Sequence, residues 1–331
     1  MSIEEFNDCL LRSLGPYQPF VELRDRIGRR LFPIEVEGVQ GGFLSFLASR
    51  LHGEVRACTL VVAPTDQEAR EIHADLQLFG GEVLSFPWWG TLPYGQGHPL
   101  PAVHGQRTHV LSRLGSGDPV LVVVSLRGLL NPVPPPGEFA ARAVHLGVGG
   151  GIDTHELAAK LVALGYLRVP RVSLHGEFAV RGEVVDVFPY GGEEALRVIL
   201  DYDRISQIRR FEPFTQASVS DLHTAVIPPT REVIFDENAL ETLAESLKAA
   251  GLAASEPLLE RLRLNPDEAG SEYLFPLCST GRSSLLDYLP EDSLVLAVDS
   301  EGLAGGSEVI RREYLELYRK AGGGSGRSAA G

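Results

Sequence analysis

The chain has 331 residues, more than one hydrophobic core usually organises, so two or more structural units are expected. Its 44% hydrophobic content, near-zero mean hydropathy and lack of any run of eighteen apolar residues describe a globular chain with no membrane span. The acidic start MSIEEFNDCLL resembles neither a signal nor a transit peptide, so a cytoplasmic location is expected. A net charge of −14 argues against a dominant nucleic-acid surface, which gains affinity from clustered Lys and Arg.

Cys9, Cys58 and Cys278 are widely scattered, and the nine histidines form no ligand pair at helical spacing. Buried free thiols, no metal and no other cofactor are therefore expected.

In chain order, the first informative stretch is IEVEGVQGGFLSFLASRL, residues 34 to 51. A Walker-type phosphate loop reads G-x-x-x-x-G-K-[ST], with glycines for tight turns, Lys on the phosphates and Ser or Thr on magnesium. Gly38 opens that pattern and Gly41 and Gly42 lie inside it, but Phe43 replaces the second glycine and Leu44 the lysine, while Ser45 remains. On the residues alone, a glycine turn opening an amphipathic helix, with Phe43, Leu44, Leu47 and Leu51 at helical spacing, is the simpler reading. The only lysines are Lys160, Lys248 and Lys320, and none follows a glycine-rich turn.

Next come the strand CTLVVAPT, the helix DQEAREIHADLQLFG, the strand GEVLSFP and a third strand, PVLVVVSLRGLL (119 to 130). Apolar strands alternating with helices predict a parallel sheet covered on both sides. The proline-rich NPVPPPGEF marks a boundary. Between it and about residue 225, a helix at IDTHELAAKLVALGY and alternating segments such as FAVRGEVVDVFP and LRVILDYDRISQIRRFEP predict a small antiparallel sheet. Pro228 and Pro229 mark a second boundary. Beyond them lie ENALETLAESLKAAG, a helical stretch near 255 to 263, the buried-type strand SLVLAVDS, which is expected to rejoin the first sheet, and a helix near 306 to 321. The end, AGGGSGRSAAG, reads as a flexible linker within a longer protein.

Three long stretches carry a family pattern: FPWWGTLPYGQGHPLPAVHGQRTHVLSRL (86 to 114), HGEFAVRGEVVDVFPYGGEEALRVILDYDRISQIRRFEPFTQ (175 to 216) and LLDYLPEDSLVLAVD (285 to 299). Together they resemble the N-terminal region of the bacterial transcription-repair coupling factors (Mfd), which is itself similar to the excision-repair helicase subunit UvrB. The resemblance implies a degenerate helicase-like (RecA-type) α/β domain with an inserted small α+β domain having an antiparallel sheet. The expected division is 1–132 and 226–320 for the two parts of the UvrB-like domain, 133–225 for the insert and 321–331 for the linker.

The same resemblance makes Gly38, Gly41, Gly42, Phe43, Leu44 and Ser45 a non-functional relic of a nucleotide loop, and Asp299-Ser300-Glu301 an eroded acidic element. It implies no catalysis by this chain, although the full-length family member is an ATP-dependent DNA translocase that contacts RNA polymerase through a downstream domain. It further implies that the insert binds the repair protein UvrA through Arg181 and Arg197. These stand sixteen residues apart, which suits neighbouring strands of one hairpin. An aromatic expected four residues after the second arginine is Asp201 here, with Tyr202 beside it: either Tyr202 substitutes after a local shift, or the contact is weaker.

On the residues alone, both arginines fit exposed salt bridges with Glu183 or Asp201. Two readings stand beside docking. One is a UvrB-like nucleotide-dependent DNA-binding subunit, which requires the missing lysine and a DNA-inserting hairpin. The other is weak direct DNA binding through arginines 107, 113 and 127.

Overall fold

The computed structural model describes residues 3–324 apart from 233, 253–255, 266–268 and 280. Among these the strands are β1 Thr59–Ala63, β2 Val83–Phe86, β3 Leu121–Ser125, β4 Val144–Gly147, β5 Leu167–Arg168, β6 Glu177–Arg181, β7 Val184–Val187, β8 Ala195–Asp201, β9 Arg204–Phe211, β10 Ser218–Leu222, β11 Thr224–Ile227 and β12 Leu294–Ala297. No helix among the described residues is long and apolar enough to cross a membrane. The chain is mixed α/β, with one parallel and one largely antiparallel sheet.

The parallel sheet has the order β12-β1-β3-β2. Every residue of β1 and β3 is buried, as apolar strands covered on both faces must be. Helix Asp66–Leu78 starts on a capping box, with Thr65 and Glu68 satisfying each other's backbone N–H groups, and lays Ile72 and Leu76 against Val61, Leu121 and Val123. The last strand, β12, pairs parallel to β1 in register Thr59↔Leu294.

One expected strand is too long. The apolar run 119 to 130 is strand only to Ser125 and then helix Leu126–Leu130. Ser125 causes the change, because its Oγ accepts from the Gly128 N–H at 3.1 Å and so caps a helical turn inside a mostly apolar sequence.

The second sheet has the order β10-β9-β8-β7-β6-β5, antiparallel except for β5–β6, and β4 and β11 form a separate two-stranded ribbon. One face of the larger sheet packs Phe178, Val185, Val187, Val198 and Leu200 with Leu157 and Leu161 of helix Thr154–Ala163.

The chain falls into two compact units. The first holds residues through Phe86, Ser116–Leu129 and Leu289–Ile310; the second holds Pro87–Gly115, Leu130–Tyr288 and residues from Arg311 onward. The second therefore takes in more than residues 133–225. A buried polar cluster joins its parts: Arg107 Nε donates to Glu232 Oε1 at 2.7 Å, Trp89 Nε1 donates to the same oxygen at 2.5 Å, and Arg107 Nη1 donates to the Pro87 carbonyl at 2.7 Å. The Arg107 and Glu232 side chains are fully buried. Such a network holds its members together because breaking it strands a charge away from water.

The C-terminal helix runs Ser300–Gly324, so helix occupies the start of the glycine-rich tail expected to be linker. The remainder, 325–331, lies outside the described residues.

Candidate functional site

Arg181 ends β6 and Arg197 lies within β8, with β7 between them. The expected single hairpin is therefore replaced by two consecutive ones. Gly182, at a left-handed φ of 61°, turns the chain back immediately after Arg181, so the sixteen-residue spacing contains an extra strand. Strand alternation still puts both arginines on one face, opposite the cluster of Phe178, Val185 and Val198; the same face buries Ala179, Ala195 and Phe211 with Val172 and Phe188. Asp186 of β7 is on that face too, paired in register with Ala179 and Arg197.

Asp186 is the centre of the arrangement. Its residue is 1% exposed, and both carboxylate oxygens are used. Arg197 donates from Nε to Oδ1 at 2.7 Å and from Nη2 to Oδ2 at 2.9 Å, a bidentate pair. Arg181 Nη2 donates to Oδ2 as well. Arg197 also donates to Gln216 Oε1 at 2.9 Å, and its guanidinium lies 4.3 Å from the centroid of the buried Phe211 ring. The hydrogen bonds to Asp186 raise the Arg197 pKa above the ordinary guanidinium value.

These contacts divide the two arginines by role. The Arg197 side chain is 18% exposed and held on several sides, whereas the Arg181 side chain is 48% exposed. Arg181 is half-exposed, and Arg197 is held in place by Asp186, Gln216 and the Phe211 ring. Their ion-pair partner is Asp186, neither Glu183 nor Asp201. The signal for it was a single carboxylate inside the otherwise apolar run VVDVF: a lone acid at a strand position with apolar neighbours is buried and paired, or it is costly.

Asp201 and Tyr202 lie elsewhere on the sheet. Asp201 closes β8 opposite Arg204, about 13 Å along the strand from Arg197 at roughly 3.3 Å per residue. Tyr202 occupies the β8–β9 turn at φ 56° and is 82% exposed. The structure thus joins Arg181 to Arg197 through Asp186, while Asp201 lies two residues beyond Ile199, which pairs with Val184 opposite Arg181.

The glycine loop has its own geometry, in the other unit. Residues 31 to 37 form no strand ahead of it. Gly38 and Gly41 adopt positive φ values of 75° and 57°, and Gly41 precedes helix Gly42–Val55. Phe43 is 41% exposed at the helix start, while Leu44 packs against the cluster that contains Val61 and Ile72. Ser45 is fully buried, and its Oγ has no hydrogen-bond partner among the described residues. The Ser45 hydroxyl is therefore enclosed by protein. Asp299 accepts from the Gly302 N–H at 3.0 Å, which is a helix-capping role.

Two further expectations are corrected. Arg107 is fully buried and so cannot meet a DNA phosphate. Cys9 is exposed, although Cys58 is buried and Cys278 partly so.

Comparison with known proteins bears on the second sheet first. Residues 144–233 match the family described as UvrB interaction domain, a span that runs from β4 through β11 and contains Asp186 and both arginines. Over a longer stretch the chain is 31% identical to a transcription-repair-coupling factor of Myxococcus xanthus, covering 94% of this chain and 27% of that protein. This chain is a homologue of the transcription-repair-coupling factors. The Mycobacterium bovis factor is 34% identical over 78% of this chain and 22% of its own length, and the Escherichia coli factor is 25% identical over 80% and 23%. This coupling-factor homologue spans about a quarter of the length of the curated relatives it matches.

Proposed function

We propose that this chain is a docking module, without catalysis of its own, that recruits UvrA within a transcription-repair coupling factor. The observation that carries the reading is the match to the UvrB interaction domain over the sheet whose outer face bears Arg181 and Arg197 locked to the buried Asp186. A fixed arginine face suits an acidic protein partner, since planar guanidinium groups pair bidentately with carboxylates and recur among the residues that dominate binding energy. Charge distribution supports a protein rather than a nucleic acid. Residues 133–225 carry nine basic and twelve acidic side chains, leaving −11 of the −14 on the flanking sections. In the full-length coupling factor, the polymerase contact and the DNA translocase motor belong to segments outside this chain.

The UvrB-like reading, a nucleotide-dependent DNA-binding subunit, has less support. Leu44 stands where the lysine would be and packs inward, and Ser45 is buried, so nothing in the loop is placed to neutralise a triphosphate.

Two measurements on the purified chain test the proposal. Size-exclusion chromatography with UvrA should show co-elution, lost with Arg181→Glu. An ATPase assay with magnesium should show no turnover above background. Turnover that Ser45→Ala abolishes would overturn the non-catalytic reading.

A further inference from the structure

The loop Glu212–Ala217, which follows β9, holds a phenylalanine that the packing of the domain does not use. Phe214 is 87% exposed. A singly exposed apolar residue is ordinary on a protein surface. What sets this one apart is the effort spent holding its backbone still.

The Glu212 carboxylate accepts from the Phe214 N–H at 2.8 Å and from the Thr215 N–H. Glu212 N–H donates to the Ala217 carbonyl at 2.9 Å and Gln216 N–H to the Glu212 carbonyl at 2.8 Å, closing the loop on itself. Gln216, at a left-handed φ of 65°, donates from its side chain to the Pro213 carbonyl at 2.7 Å. From outside the loop, Arg171 Nη2 donates to the Phe214 carbonyl at 2.9 Å. Gln216 Oε1 accepts from Arg197 Nη2, so the loop is latched to the arginine that clamps Asp186. Pro213 beside Phe214 is buried, which pins the loop from below.

None of these bonds buries the ring. They fix an exposed aromatic beside a positive face, which is the form of a pre-organised anchor: the ordering entropy is already spent before a partner arrives. Exposed Tyr202 lies at the other end of β9, in the β8–β9 turn, and the latch to Arg197 belongs to Phe214's loop alone of the two.

We infer that Phe214 is the apolar anchor of the docking face and inserts into an apolar pocket on the partner protein. That pocket is rimmed by carboxylates that meet Arg171, Arg181 and Arg197. This inference rests on the UvrA-docking reading above and adds to it a residue and a partner chemistry. The loop sets specificity: the arginines attract an acidic surface, and the ring selects the one with a matching pocket.

The test is surface plasmon resonance of UvrA against the full chain, its Phe214→Ala, Phe214→Trp and Arg181→Glu variants, with circular dichroism to verify folding. Phe214→Ala should weaken binding at least about tenfold, mainly through faster dissociation, as truncation of a buried aromatic anchor does. Phe214→Trp should stay within about threefold of the parent. If Phe214→Ala binds within about twofold of the parent while Arg181→Glu loses binding, the anchor is refuted and the docking reading stands. If the folded parent chain does not bind UvrA, the docking reading fails and the anchor with it.

Discussion

Replacing Arg197 with alanine is the obvious way to probe the docking face, and the geometry says that it will mislead. Asp186 is 1% exposed and draws a bidentate pair of hydrogen bonds, 2.7 and 2.9 Å, from Arg197. Removing one partner of a buried pair costs about 3–5 kcal/mol when the remaining charge is left uncompensated. Arg181 still reaches Oδ2, so we expect about 2–3 kcal/mol, partly from the lost contact with Phe211. At about 1.4 kcal/mol per tenfold, amides of β7 and β8 that exchange by local opening should exchange about 30- to 140-fold faster. Hydrogen exchange followed by mass spectrometry reads this peptide by peptide. Asp186→Asn combined with Arg197→Ala removes the stranded charge and should recover most of the loss. If the double variant exchanges as fast as Arg197→Ala alone, the stranded carboxylate is not the cause and this reasoning is wrong. Arg181→Ala, at a half-exposed position, should leave exchange within a few-fold of the parent.

Arg107→Ala should be among the most damaging substitutions in the second unit, costing about 3–5 kcal/mol by stranding the fully buried Glu232; a thermal denaturation midpoint unchanged within error would contradict it. In the native chain Cys9, the exposed thiol, should react quickly with a disulfide reagent. Cys278, whose thiol burial pushes up to about 12, and Cys58, raised by burial, should react only on unfolding; two or more fast thiols would count against the packing described. The Glu212 carboxylate is held below its ordinary pKa, first by its side-chain hydrogen bond with Thr215 and then by the Thr215 and Phe214 N–H groups. A depressed carboxylate stabilises above its unfolded value, near 4.3, and loses that contribution as pH falls through the lower folded value. The Phe214 and Thr215 amide resonances should therefore be constant from pH 7 to about 5 and shift only below about 4.3, and a midpoint at or above that value would refute the loop geometry.

How much of this was legible in the sequence differs by feature. The strand TLVVA and the helix after it announce themselves, because a short apolar run precedes a Thr-x-x-Glu capping box. The overlong third strand shows the limit of periodicity: VVVSLRGLL is apolar but for Ser125 and Arg127, and the turn from strand to helix depends on one serine hydroxyl. Composition points to the prolines at 132 to 136, whereas the buried contact between Arg107 and Glu232, 125 residues apart, leaves no local mark in the sequence. At the proposed docking face, the resemblance points to Arg181 and Arg197. Reading the residues alone suggested solvent-exposed bridges and missed Asp186, whose partners lie on two different strands. Phe214 gave no sequence signal for a further reason: an apolar residue in a short loop carries no periodicity, and its fixed exposed position rests on the hydrogen bonds of Glu212 and Gln216.

The central claim is that UvrA docks on the outer face of β6 to β8, and isothermal titration calorimetry of UvrA with the full chain and with Arg181→Glu tests it most directly. Arg181 is the right position because its side chain is 48% exposed and its neighbour Asp186 keeps Arg197; the reversal also sets a carboxylate beside Asp186, so circular dichroism accompanies the titration. The account predicts saturable binding by the parent chain and at least about a tenfold loss in the variant, with both proteins folded. Equal affinity for the two would place the docking site elsewhere and contradict the account.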